Sequence, residues 1–140
     1  LAVTEAAAAF VSLWNGRFAR RLSNWRLIAV GFCCYGVGLL GAWFDPDSLV
    51  LGAGLLLFGA GLGFTMPSVD AAVSHHVPTR LRSGALSLRN STTFLGRSVG
   101  PVLFTLAATA VGYRPLLLVA GVSALGGGGL VLATTRLRQN

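Results

Sequence analysis

The chain has 140 residues, of which 54% are hydrophobic and 11% charged, and its mean hydropathy is +0.71. Soluble domains carry roughly 25% charged residues, so a water-soluble globular domain is excluded. The net charge is +7, but all the basic residues are arginines set in short groups between apolar runs. That spacing fits membrane topology and not the single basic face of a nucleic-acid binder.

A helix needs about 20 apolar residues to cross a bilayer. The first apolar run, 1–14, is interrupted by Glu5 and is too short to span, so it reads as a partial helix. Four longer runs follow, at about 27–44, 49–73, 88–111 and 115–135. All are rich in Leu, Val, Ala and Gly without alternation at every second residue, which favours helices over barrel strands. The chain is therefore expected to be all-α, a polytopic transmembrane helix bundle forming one region over 1–140. It opens in an apolar run with neither an initiator Met nor the basic segment and cleavage site of a signal peptide, and is expected to be a fragment of a longer protein.

The links sort the arginines by side. "NGRFARRLSNWR" carries Arg17, Arg20, Arg21 and Arg26; "HHVPTRLRSGALSLR" carries Arg80, Arg82 and Arg89; the tail "RLRQN" carries Arg136 and Arg138. The intervening links "DPDS" and "GYRP" are short, which forces antiparallel neighbours, and they hold Asp45, Asp47 and Arg114. Arginines in short loops stay in the cytoplasm. The expectation is a multi-pass protein of the cytoplasmic membrane with its C-terminus inside the cell.

Nineteen glycines predict close helix packing, because small residues let backbones approach where lipid removes the hydrophobic drive between helices. Cys33 and Cys34 are adjacent within an apolar run and read as small hydrophobes. His75 and His76 lack the i, i+4 spacing of a zinc pair, so no metal site and no cofactor is expected. The pattern Gly96-Arg97-Ser98-Val99-Gly100 matches a nucleophile elbow, but no Asp, Glu or His follows Ser98 to complete a triad. No catalytic residue is assigned.

Ionisable residues within spans are more informative, since they face a bundle interior or a watery cavity. Glu5 stands about ten residues, roughly 15 Å, from the first basic link, near mid-bilayer. It is a candidate proton or cation site, or a structural partner. Asp70 and Arg97 lie on helices joined by one loop, so a salt bridge between them is expected, structural or on a transport path. Arg89, Thr93 and Arg97 recur at i, i+4 and i+8 and share a helical face, which is too polar for lipid and suits a vestibule. Gly96 and Gly100 leave room for a close neighbour, and Pro101 bends the helix by freeing a carbonyl four residues back.

Two stretches resemble the major facilitator superfamily. "GRFARRLSNWR" is similar to its loop motif G-x-L-A-D-R-x-G-R-R: Gly16, Phe18, Ala19 and Arg21 match, whereas Arg20 and Ser23 replace the acid and the second glycine. "MPSVDAAVSHHVPTRLRSGALSLRNSTTFLGRSVGPVLF" resembles the tenth helix, the next loop and the eleventh helix. Within it, Gly96, Gly100 and Pro101 echo the glycine-proline motif of efflux members, although Phe104 and Thr105 replace later glycines. The resemblance implies the C-terminal part of such a transporter, from the end of the eighth helix to the twelfth. It further implies secondary active transport of a small molecule, with efflux and proton coupling through Glu5 as finer expectations, and a missing N-terminal half as partner alongside membrane lipid. Two other readings are a non-transporting membrane subunit and an intramembrane serine hydrolase.

Overall fold

The computed structural model describes residues 2–44 and 48–137. Five helices occupy them: α1 (Ala2–Ala19), α2 (Asn24–Phe44), α3 (Ser48–His76), α4 (Thr79–Val111) and α5 (Tyr113–Leu137). No strand occurs among the described residues, in keeping with the all-α expectation. Four helices, α2 to α5, are long and apolar enough to cross a membrane.

Proline and glycine mark the helix junctions. Val77 closes α3 by donating its N–H to the Val73 carbonyl, and Pro78, at φ −52° and ψ 144°, starts α4 in a new direction. α4 ends where Gly112, at φ 86°, donates its N–H to the Ala108 carbonyl at 2.9 Å. A side chain would be strained at that dihedral. Pro115 falls in the first turn of α5, where a missing N–H costs nothing. With 33 residues, α4 is about 50 Å long. The hydrocarbon core is about 30 Å thick, so the arginine-bearing first turns of α4 lie beyond it.

The bundle is organised around α2, which packs on α3 on one side and α5 on the other, while α1 covers the far side of α3. Glycine fixes these contacts. A Cβ on Gly38 would stand 2.7 Å from the Gly54 carbonyl oxygen, and one on Gly61 would stand 2.8 Å from that of Gly31. The two contacts lie seven residues apart on both helices, in opposite chain directions, so they form one antiparallel seam. Between α2 and α5, Gly121 meets Leu40 and Gly128 meets the Ala29 carbonyl in the same antiparallel manner. Between α1 and α3, Gly59 abuts the Thr4 carbonyl and Gly63 the Ala8 carbonyl. Both members of that pairing rise together, so α1 and α3 run parallel.

α4 stands apart. It touches the rest along two short seams, one with α3 and one with α5, and Ala108 is its one buried residue among those described. Several of its threonine hydroxyls are nonetheless satisfied. Thr92, Thr93 and Thr105 donate to the carbonyls of Leu88, Arg89 and Pro101 four residues back, at 2.8–3.0 Å. A threonine bonded to its own helix can face hydrocarbon, so this part of α4 is less polar than its sequence suggests.

Candidate functional site

Three helices bring the intramembrane charges together. A cavity of about 250 Å³ opens between α1, α3 and α4, with Glu5 and Ser12 on one wall, Gly63, Met66 and Pro67 on the second and Arg97 on the third. Arg97 Nη2 lies 3.6 Å from Glu5 Oε1. Both side chains are about half exposed, 53% and 60%, so the pair faces the cavity and is not sealed inside protein. Pro67 lies inside α3 and has no N–H to donate to the Gly63 carbonyl.

A second ion pair stands on the same face of α4. Arg89 Nη1 lies 3.2 Å from Asp70 Oδ1, and Arg89 Nη2 reaches the Met66 carbonyl at 3.3 Å and its sulfur at 2.9 Å. The face Arg89, Thr93, Arg97 read from the sequence is thus the face that α4 turns toward α3 and α1. The expected bridge between Asp70 and Arg97 does not form, and depth along the helices is the reason. Asp70 lies eight residues before Pro78, about 12 Å from the α3–α4 turn, whereas Arg97 lies nineteen after it, about 28 Å away. Arg89, about 16 Å from the turn, matches Asp70. Arg97 instead meets Glu5, since Thr4 packs against Gly59 and sets Glu5 level with α3 about 27 Å from the same turn.

The remaining predicted residues are less concentrated. Gly16, Phe18 and Ala19 complete the last turns of α1 and do not stand in a loop, because the helix continues through "NGRFA" to Ala19. Arg21 is in the turn, donating its N–H to the Phe18 carbonyl at 3.0 Å. The Phe18 ring meets Phe64 of α3 edge-on at 5.7 Å. Pro101 lies inside α4. Gly96 and Gly100 were expected to admit a close neighbour, yet among the described residues nothing stands within 4 Å of where a side chain would begin on either. α4 is held through Arg89, Arg97 and Ala108 instead, which leaves the glycine face bare.

Ser98 is an exposed residue in the middle of α4. A nucleophile elbow needs a strand-to-helix turn, and residues 79–111 form one helix. Met66 was missed by sequence reading, although as the chain's one methionine beside an intrahelical proline it marked an irregular stretch of α3.

Four membrane-length helices, with a carboxylate facing a guanidinium across a cavity between α1, α3 and α4, define a multi-pass membrane protein. The chain matches the Major Facilitator Superfamily over residues 1–139 and belongs to that family. It is 30% identical over 122 residues to an uncharacterized MFS-type transporter of Pseudomonas aeruginosa strain LESB58. It is equally similar to one from strain PAO1 of the same species. The matched segment is 85% of this chain and 30% of each relative, so the chain spans less than a third of the curated relatives it matches. No solved structure matches it.

Proposed function

We propose that the chain is the C-terminal part of a secondary active transporter that moves a small molecule across the cytoplasmic membrane, with its C-terminus in the cytoplasm. The observation that carries this reading is the meeting of Glu5 and Arg97 from separate helices across one cavity. Uncompensated charge is costly in hydrocarbon, and intramembrane ion pairs mark substrate or proton pathways. Protonating Glu5 would cancel its attraction for Arg97 and free α4, which is otherwise weakly held, to move against α1 and α3. That couples a proton to the opening of the cavity, the element alternating access requires. Export in exchange for protons is the direction favoured by the Gly96, Gly100, Pro101 segment.

Asp70 and Arg89 act here as a structural tie between α3 and α4 near the membrane surface. The bare Gly96 and Gly100 face is suited to helices of the N-terminal half. The hydrolase reading has no support in a serine placed mid-helix.

The test uses the full-length transporter in inverted vesicles. Glu5→Gln should abolish flux driven by a pH gradient while leaving substrate exchange between the two sides intact. Gradient-driven flux at the native rate in that variant refutes the coupling role.

A further inference from the structure

At the arginine-bearing end of the bundle, α2 and α3 part to leave a groove of about 410 Å³, within the range of roughly 300–1,000 Å³ of small-ligand clefts. Trp25 and Ile28 of α2 form one wall, and Val69, Val73, His76 and Val77 of α3 the other. Nearly everything facing the groove is hydrocarbon. Its polar features are at the mouth, where the Trp25 ring meets the His76 ring edge-on at 6.2 Å. His76 Nδ1 lies 2.8 Å from the Ala72 carbonyl oxygen, which fixes the imidazole beside the indole and leaves Nε2 as its other polar atom.

Arginines flank the groove-lining residues along the chain. Arg20 and Arg21 precede α2 by a few residues, Arg26 follows Trp25 directly, and Arg80 and Arg82 begin α4 just after the groove's last residue, Val77. Four residues of extended chain span at most about 14 Å, so the Arg21 Cα is within that distance of Trp25. Arg82 also keeps its Nε out of solvent with no hydrogen-bond partner among the described residues. Asp and Glu side chains do not occur over 6–44 or after Asp70, and Asp70 is paired with Arg89.

We propose that this groove binds an anionic phospholipid, with an acyl chain lying between α2 and α3 and the phosphate headgroup held by the flanking arginines. The two halves of the site call for the two halves of one amphiphile. An apolar slot in lipid is filled by hydrocarbon, and basic pockets between helices at the membrane surface select anionic headgroups. A tryptophan at that depth sits where ring and headgroup regions coincide. A soluble anion would use the arginines and leave the slot unexplained.

The test places the full chain, with Trp14→Phe and Trp43→Phe so that Trp25 alone fluoresces, in phosphatidylcholine nanodiscs. Phosphatidylglycerol or phosphatidylcholine with brominated acyl chains is then titrated in. The expected result is half-maximal quenching of Trp25 at a several-fold lower mole fraction of the glycerol lipid, since each arginine in reach contributes roughly fivefold. Arg20→Gln with Arg21→Gln, and Arg80→Gln with Arg82→Gln, should each reduce that preference. Arg20, Arg21 and Arg80 are exposed and Arg82 is half-buried, and circular dichroism checks that helix content is retained. Native mass spectrometry of the unaltered chain should show phosphatidylglycerol retained over phosphatidylcholine. Equal quenching by both lipids means an annular shell only and overturns the proposal. So does a preference that survives loss of all four arginines, or one abolished by millimolar inorganic phosphate, which indicates a headgroup site without the groove.

Discussion

The seam between α2 and α3 makes the sharpest prediction, because its contacts are backbone to backbone. In Gly38→Ala the new methyl would begin 2.7 Å from the Gly54 carbonyl oxygen, and in Gly54→Ala 2.8 Å from that of Gly38. An ordinary carbon-to-oxygen contact is about 3.4 Å, comparable to optimal carbon separations, so the helices must part by about 0.6–0.7 Å at that level. Rigid helices cannot do this at one point alone, and the Gly31 and Gly61 contact seven residues away opens with it. Overpacking in a well-packed interior costs about 1–3 kcal/mol, against which alanine's better helix propensity returns at most about 1 kcal/mol. Each variant should therefore lose about 1–2 kcal/mol, roughly a tenfold shift in the folding equilibrium. Gly96→Ala, placed in open space in this chain, is the matched control and should lose nothing. Equilibrium unfolding in mixed detergent micelles, followed by helix content, measures all three. Gly38→Ala as stable as the native chain, or Gly96→Ala equally damaging, would refute the assignment of the seam.

The other predictions use the charges and the bare face. A double-mutant cycle on Asp70→Asn and Arg89→Gln should give a coupling larger than one on Glu5→Gln and Arg97→Gln, since Arg89 is 19% exposed and Arg97 53%; with solvent reaching both pairs, each coupling should be about 1 kcal/mol or less. Gly100→Leu should be harmless to the isolated chain yet reduce transport by the full-length protein, and unchanged flux there would remove the N-terminal half as the occupant of that face. Cysteines introduced at Arg20 and Arg82 should react with an impermeant maleimide from one side of the membrane only, the side that also exposes a C-terminal tag. A fluorophosphonate probe should leave Ser98 unlabelled.

The sequence carried the fold through two signals that survive without tertiary information. Long runs of Leu, Val, Ala and Gly bounded by "DPDS", Pro78 and Gly112 allow little besides helices of membrane length. From the glycine clusters, Gly36, Gly38, Gly54, Gly59, Gly61 and Gly63 do sit where α2, α3, α1 and α5 approach closely, whereas Gly52, Gly126 and Gly129 meet nothing within 4 Å among the described residues. Which glycine meets which was not legible, since a cluster on each helix permits several registers. The same gap explains the site. Glu5, Asp70 and Arg97 could each be picked out as a charge in an apolar run, but their pairing depends on depth, which accumulates along two antiparallel helices and one parallel one.

Gly96 and Gly100 show how the same residue pattern can carry two meanings. On α2 and α3 small residues meet small residues inside the chain, whereas on α4 Gly96 and Gly100 meet nothing among the described residues. A glycine at mid-helix sacrifices helix stability wherever it stands, so in α4 that cost is uncompensated within residues 2–44 and 48–137. Arg89 and Arg97, which with Ala108 hold α4, act from a different face, through pairs that solvent reaches. A helix with a smooth face left open and a charged face lightly tied can slide or tilt without breaking a packed core. On the proposed reading, α4 is the element that moves, and Glu5 and Asp70 are the residues that restrain it.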